Sequence, residues 1–294
     1  MSRTRWAVAL MVAALLLAGC AEPGSRPPAP TDEQPGGERT GAAAPAGDPT
    51  ALIGLWTVSG AAVGPGQLLR LAPTDLSLFT SCGIRGGGWG ADSDGLFVAA
   101  AGSFLIPDPA VRCREPVPGT PAWLAGAARF RIDADGPRLL DGQGRVVARL
   151  APGARPRPNP NVDPAELRPP TVTADARRAL APAAPVPANL VPAERDRLLG
   201  RWVPASGGPG RAYLELAADG GWRGSDGCNG EAGRWRSGPD GALLAIGGPE
   251  TMIGCRNVPM PGWLTAARRA ALAGPELVLL DGQARELGRL RRAG

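Results

Sequence analysis

The chain has 294 residues, a formal charge of +5 and no histidine, and all 32 of its basic side chains are arginine. Without histidine there is no Ser-His-Asp or Cys-His engine and no imidazole metal site; without lysine there is no Schiff base and no P-loop lysine. The arginines are interleaved with Asp and Glu, and no aromatic-rich basic stripe occurs, so neither nucleic acid nor a metal or organic cofactor is expected.

The first residues read as an address. Arg3 and Arg5 precede an apolar run from Trp6 to Leu17, too short for a comfortable membrane span and flanked as a signal peptide is. Leu17-Ala18-Gly19-Cys20 resembles a bacterial lipobox, which implies cleavage before Cys20 and lipid attachment to its sulfur. Residues 1–19 are then a lipoprotein signal peptide, and their loss lowers the formal charge from +5 to +3. Several acyl chains on one residue anchor stably, whereas one chain holds only marginally. The expected location is outside the cytoplasm, anchored to the bacterial cell membrane.

Residues 20–50 are rich in Pro, Gly and Ala with no sustained apolar period, the composition of a disordered tether. Residues 51–151 read as a first domain of short strands: "LRLAP", "LSLFTSC", "GLFVAAA", "ARFRIDA" and "RVVARL" lie between turn signals. "TPAWLAGAAR" offers one helix, with Thr120 as N-cap and Pro121 at its first position, pinned to the sheet by Trp123 and Leu124. "GIRGGGWG" reads as a flexible Gly-rich turn; it lacks the lysine and spacing of a phosphate loop. Residues 152–192 form a Pro-rich linker, read as a semi-rigid polyproline spacer with a short helix over Thr173 to Ala181. Residues 193–294 form the second domain. Its strands are "LLGRWVP", "AYLELAAD", "GRWRS", "ALLAIGG", "ELVLLDG" and "LGRLRR", and its helix is "MPGWLTAARRAAL".

The two domains are copies. Trp56 matches Trp202, Cys82 matches Cys228 and Trp89 matches Trp235, all at an offset of 146. Cys113 matches Cys255 at 142, and Trp123 and Asp141 match Trp263 and Asp281 at 140. Ordered partners with small offset steps are the mark of a tandem duplication with loop-length changes. "LLDGQ", present at 139–143 and again at 279–283, reads as a strand end followed by an Asp-Gly hairpin turn of type I′. Apart from Cys20 four cysteines remain, and an exported chain permits disulfides. The duplication selects Cys82–Cys113 and Cys228–Cys255, each closing a loop of about 30 residues that contributes about 3–4 kcal/mol in the chain-entropy model. No CxxC occurs, against a metal or redox pair.

The second copy resembles the META (HslJ-like) domain family. The matching residues are "LLGRW", then "GCNGEAGRW" containing Gly227, Cys228 and Asn229, then "TMIGC" containing Thr251, Met252 and Cys255. The first copy has drifted: "SCG" and "PAVRC" stand in the corresponding places. The resemblance implies an α+β, mainly β fold: two tandem small open-barrel-like domains, each with one helix, joined by the Pro-rich linker. It implies no catalytic activity and links the chain with envelope stress and surface lipoproteins. If the family's Asn and Thr do specific work, only Asn229 and Thr251 can do it here. Asn after a turn cysteine also has a structural reading, since Asn tolerates left-handed backbone.

The leading functional expectation is a non-enzymatic envelope lipoprotein, anchored through Cys20, presenting its modules to an envelope protein or wall polymer, with two linked modules raising effective concentration. The alternatives are a lipocalin-like carrier of a small hydrophobic ligand, since Gly54-Leu55-Trp56 and Gly200-Arg201-Trp202 match the start of such barrels, and a secreted protease inhibitor. An enzyme would have to use carboxylates such as Asp219, Asp226 and Glu231 around the "GCN" turn.

Overall fold

Short alternating runs separated by Gly, Pro and Asp turns give each copy an antiparallel meander. The computed structural model describes residues 46–111, 119–207, 211–250, 253–254 and 257–294. In the first copy β1 (Gly54–Ser59), β2 (Leu68–Leu71), β3 (Leu76–Thr80), β4 (Gly83–Ala91) and β5 (Phe97–Pro107) follow in order. Then come α1 (Ala122–Gly126), β6 (Arg129–Asp133), β7 (Gly136–Leu140) and β8 (Val146–Ala151). β8 returns beside β1, so the sheet order is β5-β4-β3-β2-β1-β8-β7-β6. Its two edges touch at one bridge, Leu96 to Arg129, and the sheet curls without closing into a barrel.

Between the copies lie α2 (Ala174–Ala179), β9 (Val191–Pro192) and α3 (Arg195–Leu198). The second copy repeats the plan with β10 (Gly200–Pro204), β11 (Tyr213–Leu216), β12 (Gly221–Ser225), β13 (Gly230–Ser237) and β14 (Leu243–Gly247). α4 (Met260–Ala266), β15 (Arg269–Ala273), β16 (Glu276–Leu280) and β17 (Glu286–Arg292) complete it. The order is β14-β13-β12-β11-β10-β17-β16-β15-β9, and Ala242 bridges Arg269 where Leu96 bridges Arg129 in the first copy. The fold is α+β and mainly β.

Strand alternation decides what meets what. Phe97, Ala99 and Ala101 of β5 face the first interior with Leu69, Leu71, Leu78 and Leu139. Leu243 and Ala245 of β14 face the second, with Leu214, Trp235 and Leu279. The opposite parity, Leu96 and Val98 against Ala242, Leu244 and Ile246, makes a small core where the two copies meet. All described residues belong to one compact unit.

Several sequence expectations need correction. "GIRGGGWG" is not a turn but most of β4, held between β3 and β5. Its glycines permit close approach: a Cβ on Gly87 would lie 1.9 Å from the Ala100 carbonyl oxygen, and one on Gly86 1.9 Å from the Phe104 ring. Thr120 does not cap α1. Its hydroxyl accepts from the Ala101 amide and donates to the Ala101 carbonyl, while Pro121 occupies the N-cap position. Trp123 and Leu124 are buried as expected. Residues 46–50, assigned to the tether, belong to the fold: Ile132 N–H donates to the Ala46 carbonyl, and Asp48 caps a 3-10 turn over Pro49–Leu52.

The 152–192 linker is not a free spacer. Val162 and Leu167 cover Leu55, Phe79 and Ile84 on the outer face of the first sheet, and Glu166 pairs with buried Arg70 at 2.9 Å. α2, capped by the Thr173 side chain, sets Ala176 and Leu180 against Ile53 and Trp89. Val186 and Leu190 cover Ala271, Val278 and Leu280 on the second sheet. Apolar residues spaced among the prolines turn a spacer composition into a strap, and the effective-concentration argument for two independently moving modules falls with it.

The "LLDGQ" hairpins are structural twins but not type I′ turns. Asp141 Oδ1 accepts the Gln143 and Arg145 amides at 2.9 and 3.0 Å; Asp281 Oδ1 accepts those of Gln283 and Arg285 at 2.8 and 3.0 Å. Positive φ falls on Gly144 (79°) and Ala284 (59°), past the Asp-Gly pair, with a register shift in the flanking strands. The Asp carboxylate makes a three-residue loop the better-bonded choice. Ala284 holds a backbone that its counterpart gives to glycine. Ala284→Gly is therefore expected to raise unfolding stability by about 0.5–1 kcal/mol, and Gly144→Ala to lower it comparably. Urea denaturation of both variants checks the opposite signs.

Candidate functional site

Of the residues that carried the family resemblance, Gly227, Cys228 and Asn229 lie in the turn between β12 and β13. Asp226 follows β12 and is 5% exposed. Its carboxylate accepts from the Asn229 amide (2.6 Å), the Cys228 amide (2.8 Å), the Asn257 side chain (2.6 Å) and the Asn229 side chain (3.2 Å). Burial alone would raise its pKa; those bonds outweigh burial and hold it down to about 2. Asn229 reaches onward. Its side-chain nitrogen donates to the Ile253 carbonyl at 3.0 Å, and its side-chain oxygen accepts the Ile253 amide at 2.6 Å. The Val258 amide donates to the Asp226 carbonyl. Asp226 and Asn229 thus tie the β12–β13 turn to the segment leading into α4.

This corrects the local reading of Asn229. The left-handed residue of the turn is Gly227 (φ 108°), whereas Asn229 works as a side-chain strut. In the first copy Thr80 stands at the Asp226 position and Gly83 at the Asn229 position. The Thr80 hydroxyl still accepts the Cys82 amide at 3.2 Å, so the turn survives without the strut. Cys82 and Cys228 are each disulfide-bonded. Cys20, Cys113, Thr251, Met252 and Cys255 lie outside the described residues.

Asp219, one of the carboxylates an enzyme would have to use, is not brought to Asp226. Asp219 sits in the exposed turn before β12 and accepts the Gly221 amide, at the far end of that strand from Asp226. Glu231, half-buried on β13, is pushed up to about 7 by burial and by Glu250 nearby. Among the described residues there is no group of three or more His, Cys, Asp or Glu placed to hold a metal.

Among the described residues each module's interior is packed with apolar side chains. Trp202 and Trp235 are 2% and 0% exposed, among closely packed leucines. The tryptophans of the "G-x-W" starts bond back to the segment before their strands: Trp56 N–H donates to the Leu52 carbonyl at 2.9 Å, and Trp202 N–H to the Leu198 carbonyl at 2.8 Å. Hollows among the described residues lie outside the meanders. One of about 340 Å³ is flanked by the 155–159 strap segment, and one of about 940 Å³ opens between the copies.

The cleft between the copies was missed in the sequence. Arg129, Arg195, Arg234 and Arg236 line it. Arg234 and Arg236 flank inward-facing Trp235 on β13, and an i, i+2 spacing about a buried residue does place both on the outer face. What the sequence does not say is that this outer face meets the first copy. Arg236 donates to the Ala125 and Ala127 carbonyls at 2.6 and 3.1 Å, and Arg234 to the Ala125 carbonyl at 3.1 Å, satisfying the free end of α1.

The fold and site define a class: two fused, incompletely closed β-meander modules, the second braced at its β12–β13 turn by Asp226 and Asn229. Searches of protein-family models, of curated proteins and of solved structures return no match to this chain.

Proposed function

We propose that the chain is a non-enzymatic lipoprotein of the bacterial envelope, lipid-anchored through Cys20, in which two META-like modules form one binding unit for an envelope protein or wall polymer. The observation that carries this reading is the use of the motif side chains. Asp226 and Asn229, the groups best suited to chemistry, spend their hydrogen bonds on the chain itself. Interiors packed with apolar side chains weigh against a lipocalin-like carrier, which needs an enclosed cavity of several hundred Å³. The inhibitor reading gains no specific support from the geometry.

Intact mass of the chain recovered from host membranes tests the reading. The expected result is acyl mass on Cys20 and a deficit of about 4 Da that reduction removes, one hydrogen for each of four paired sulfurs. Cys20→Ser should release the protein from the membrane with its fold intact. An unmodified Cys20 in wild-type protein overturns the anchor. Free thiols at Cys113 and Cys255 overturn the pairing.

A further inference from the structure

The cleft of about 940 Å³ between the copies carries an excess of positive charge. Five arginines line it, Arg129, Arg145, Arg195, Arg234 and Arg236, against Asp141 and Asp219. Arg145 is already paired with Asp141 at 2.7 Å within its own hairpin. Among the described residues the other four donate only to neutral carbonyl oxygens: Arg129 to Asp94, Arg195 to Ala218, Arg234 to Ala125 and Asp219, and Arg236 to Trp235, Ala125 and Ala127. Among the described residues none of these four forms an ion pair.

Gathering guanidiniums at a partly desolvated junction is unfavourable unless a counter-charge joins them. Arg236 registers the crowding. It is 9% exposed, and burial, with Arg234 and Arg195 close by, outweighs the attraction of Asp219 and pulls it down to about 10. The buried Nε atoms of Arg234 and Arg236 and the Ser237 hydroxyl find no hydrogen-bond acceptor or donor among the described residues. If interface glue were the whole role of these side chains, neutral amides would bond the same carbonyls without mutual repulsion.

We propose that this cleft binds a multiply charged oxyanion, with a diphosphate group as its simplest occupant. Planar guanidinium forks match phosphate and carboxylate oxygens. Several arginines in excess of the carboxylates favour an anion with more than one charge. The cleft is larger than the anion alone, so the anion is one end of a larger molecule. The proposal deepens the binding reading above and rests on it, but it does not need the lipid anchor, so the two tests fail separately.

The test uses the full chain, purified from membranes in non-ionic detergent. Pyrophosphate, orthophosphate and citrate are titrated by calorimetry, with tryptophan fluorescence followed because Arg195 stacks 4.5 Å from the Trp235 ring. The expected result is saturable binding that weakens as salt rises. Arg129→Gln and Arg195→Gln, at partly exposed positions, should each weaken it about tenfold. Arg223→Gln, on the exposed face of β12 and paired with Glu215, should leave it unchanged. Preference for pyrophosphate identifies a phosphorylated ligand, and preference for citrate a polycarboxylate. Saturable binding by none of the three anions overturns the proposal, as does binding undiminished in the Arg129→Gln/Arg195→Gln double variant. Thermal melts of each variant confirm that a lost signal comes from a folded protein.

Discussion

Replacing Asp226 with alanine is expected to lower unfolding stability by about 3 kcal/mol or more. A hydrogen bond to a charged group contributes about 1.5–3 kcal/mol, and Asp226 accepts four, two of them at 2.6 Å. The losses are not additive, but the Asn229 amide is left buried and unpaired, and the side chains of Asn229 and Asn257 lose the acceptor that orients them. The turn then releases the segment at Ile253 and Val258 that leads into α4. The pH dependence has a defined sign. The folded carboxyl titrates at about 2 against an ordinary 3.8, so the charged form is favoured by folding. Its contribution is fully present above pH 4 and is lost as pH falls toward 2. Asp226→Asn keeps the shape and should flatten this acid limb relative to wild type. Urea melts at pH 7 and between pH 4 and 2 measure both effects. Asp219→Ala is the comparison: that exposed side chain accepts a hydrogen bond only from the Gly221 amide within its own turn and attracts Arg236 in the cleft, so a smaller loss is expected. Equal losses at 219 and 226 would falsify the strut assignment.

What was legible in the sequence followed from periodicity and repetition. Matched Trp and Cys positions located two copies, and period-two runs placed most strands. β4 escaped because a Gly-rich strand has no apolar alternation; its logic is backbone approach at Gly86 and Gly87, which depends on the neighbouring strand. The strap escaped because composition dominated it. Val162, Leu167, Leu180 and Leu190 are too sparse to show a period, yet each finds a hydrophobic patch on an outer sheet face. For the site, the motif residues 227–229 were singled out, but their purpose was not. The distant partner of Asn229, Ile253, lies 24 residues along the chain, beyond any local turn rule. The arginine cleft was hidden for the same kind of reason: its charges come from both copies, and only their docking brings Arg129 of one beside Arg195 and Arg236 of the other.

The duplication makes the copies each other's control, and the tryptophans test how far they have diverged. Trp235 is fully buried. Its N–H is shared between the Ala217 and Gly221 carbonyls at 3.2 and 3.0 Å, and the Arg195 guanidinium lies over its ring. Trp89, at the matching position of β4, is only partly buried; its N–H donates to Ala72 at 2.7 Å, and its ring lies 6.3 Å from Phe97. Part of its cover comes from the strap, through Ala176 and Leu180, instead of from its own module. Trp235→Ala is therefore expected to lower stability by about 3–5 kcal/mol, the range for deleting a buried large aromatic. Trp89→Ala should cost less, about 2 kcal/mol, because less apolar area leaves water on folding and the strap can settle into the gap. Chemical denaturation of the two variants decides the ranking. A larger loss at Trp89 would mean that the strap, and not the module interior, dominates stability, and that the two copies depend on each other more than their separate cores imply. The expected order instead makes the second module the better-built core, the one that retains both the Asp226 strut and the stacked Arg195, with the first held in place by the strap and the Leu96–Leu244 junction.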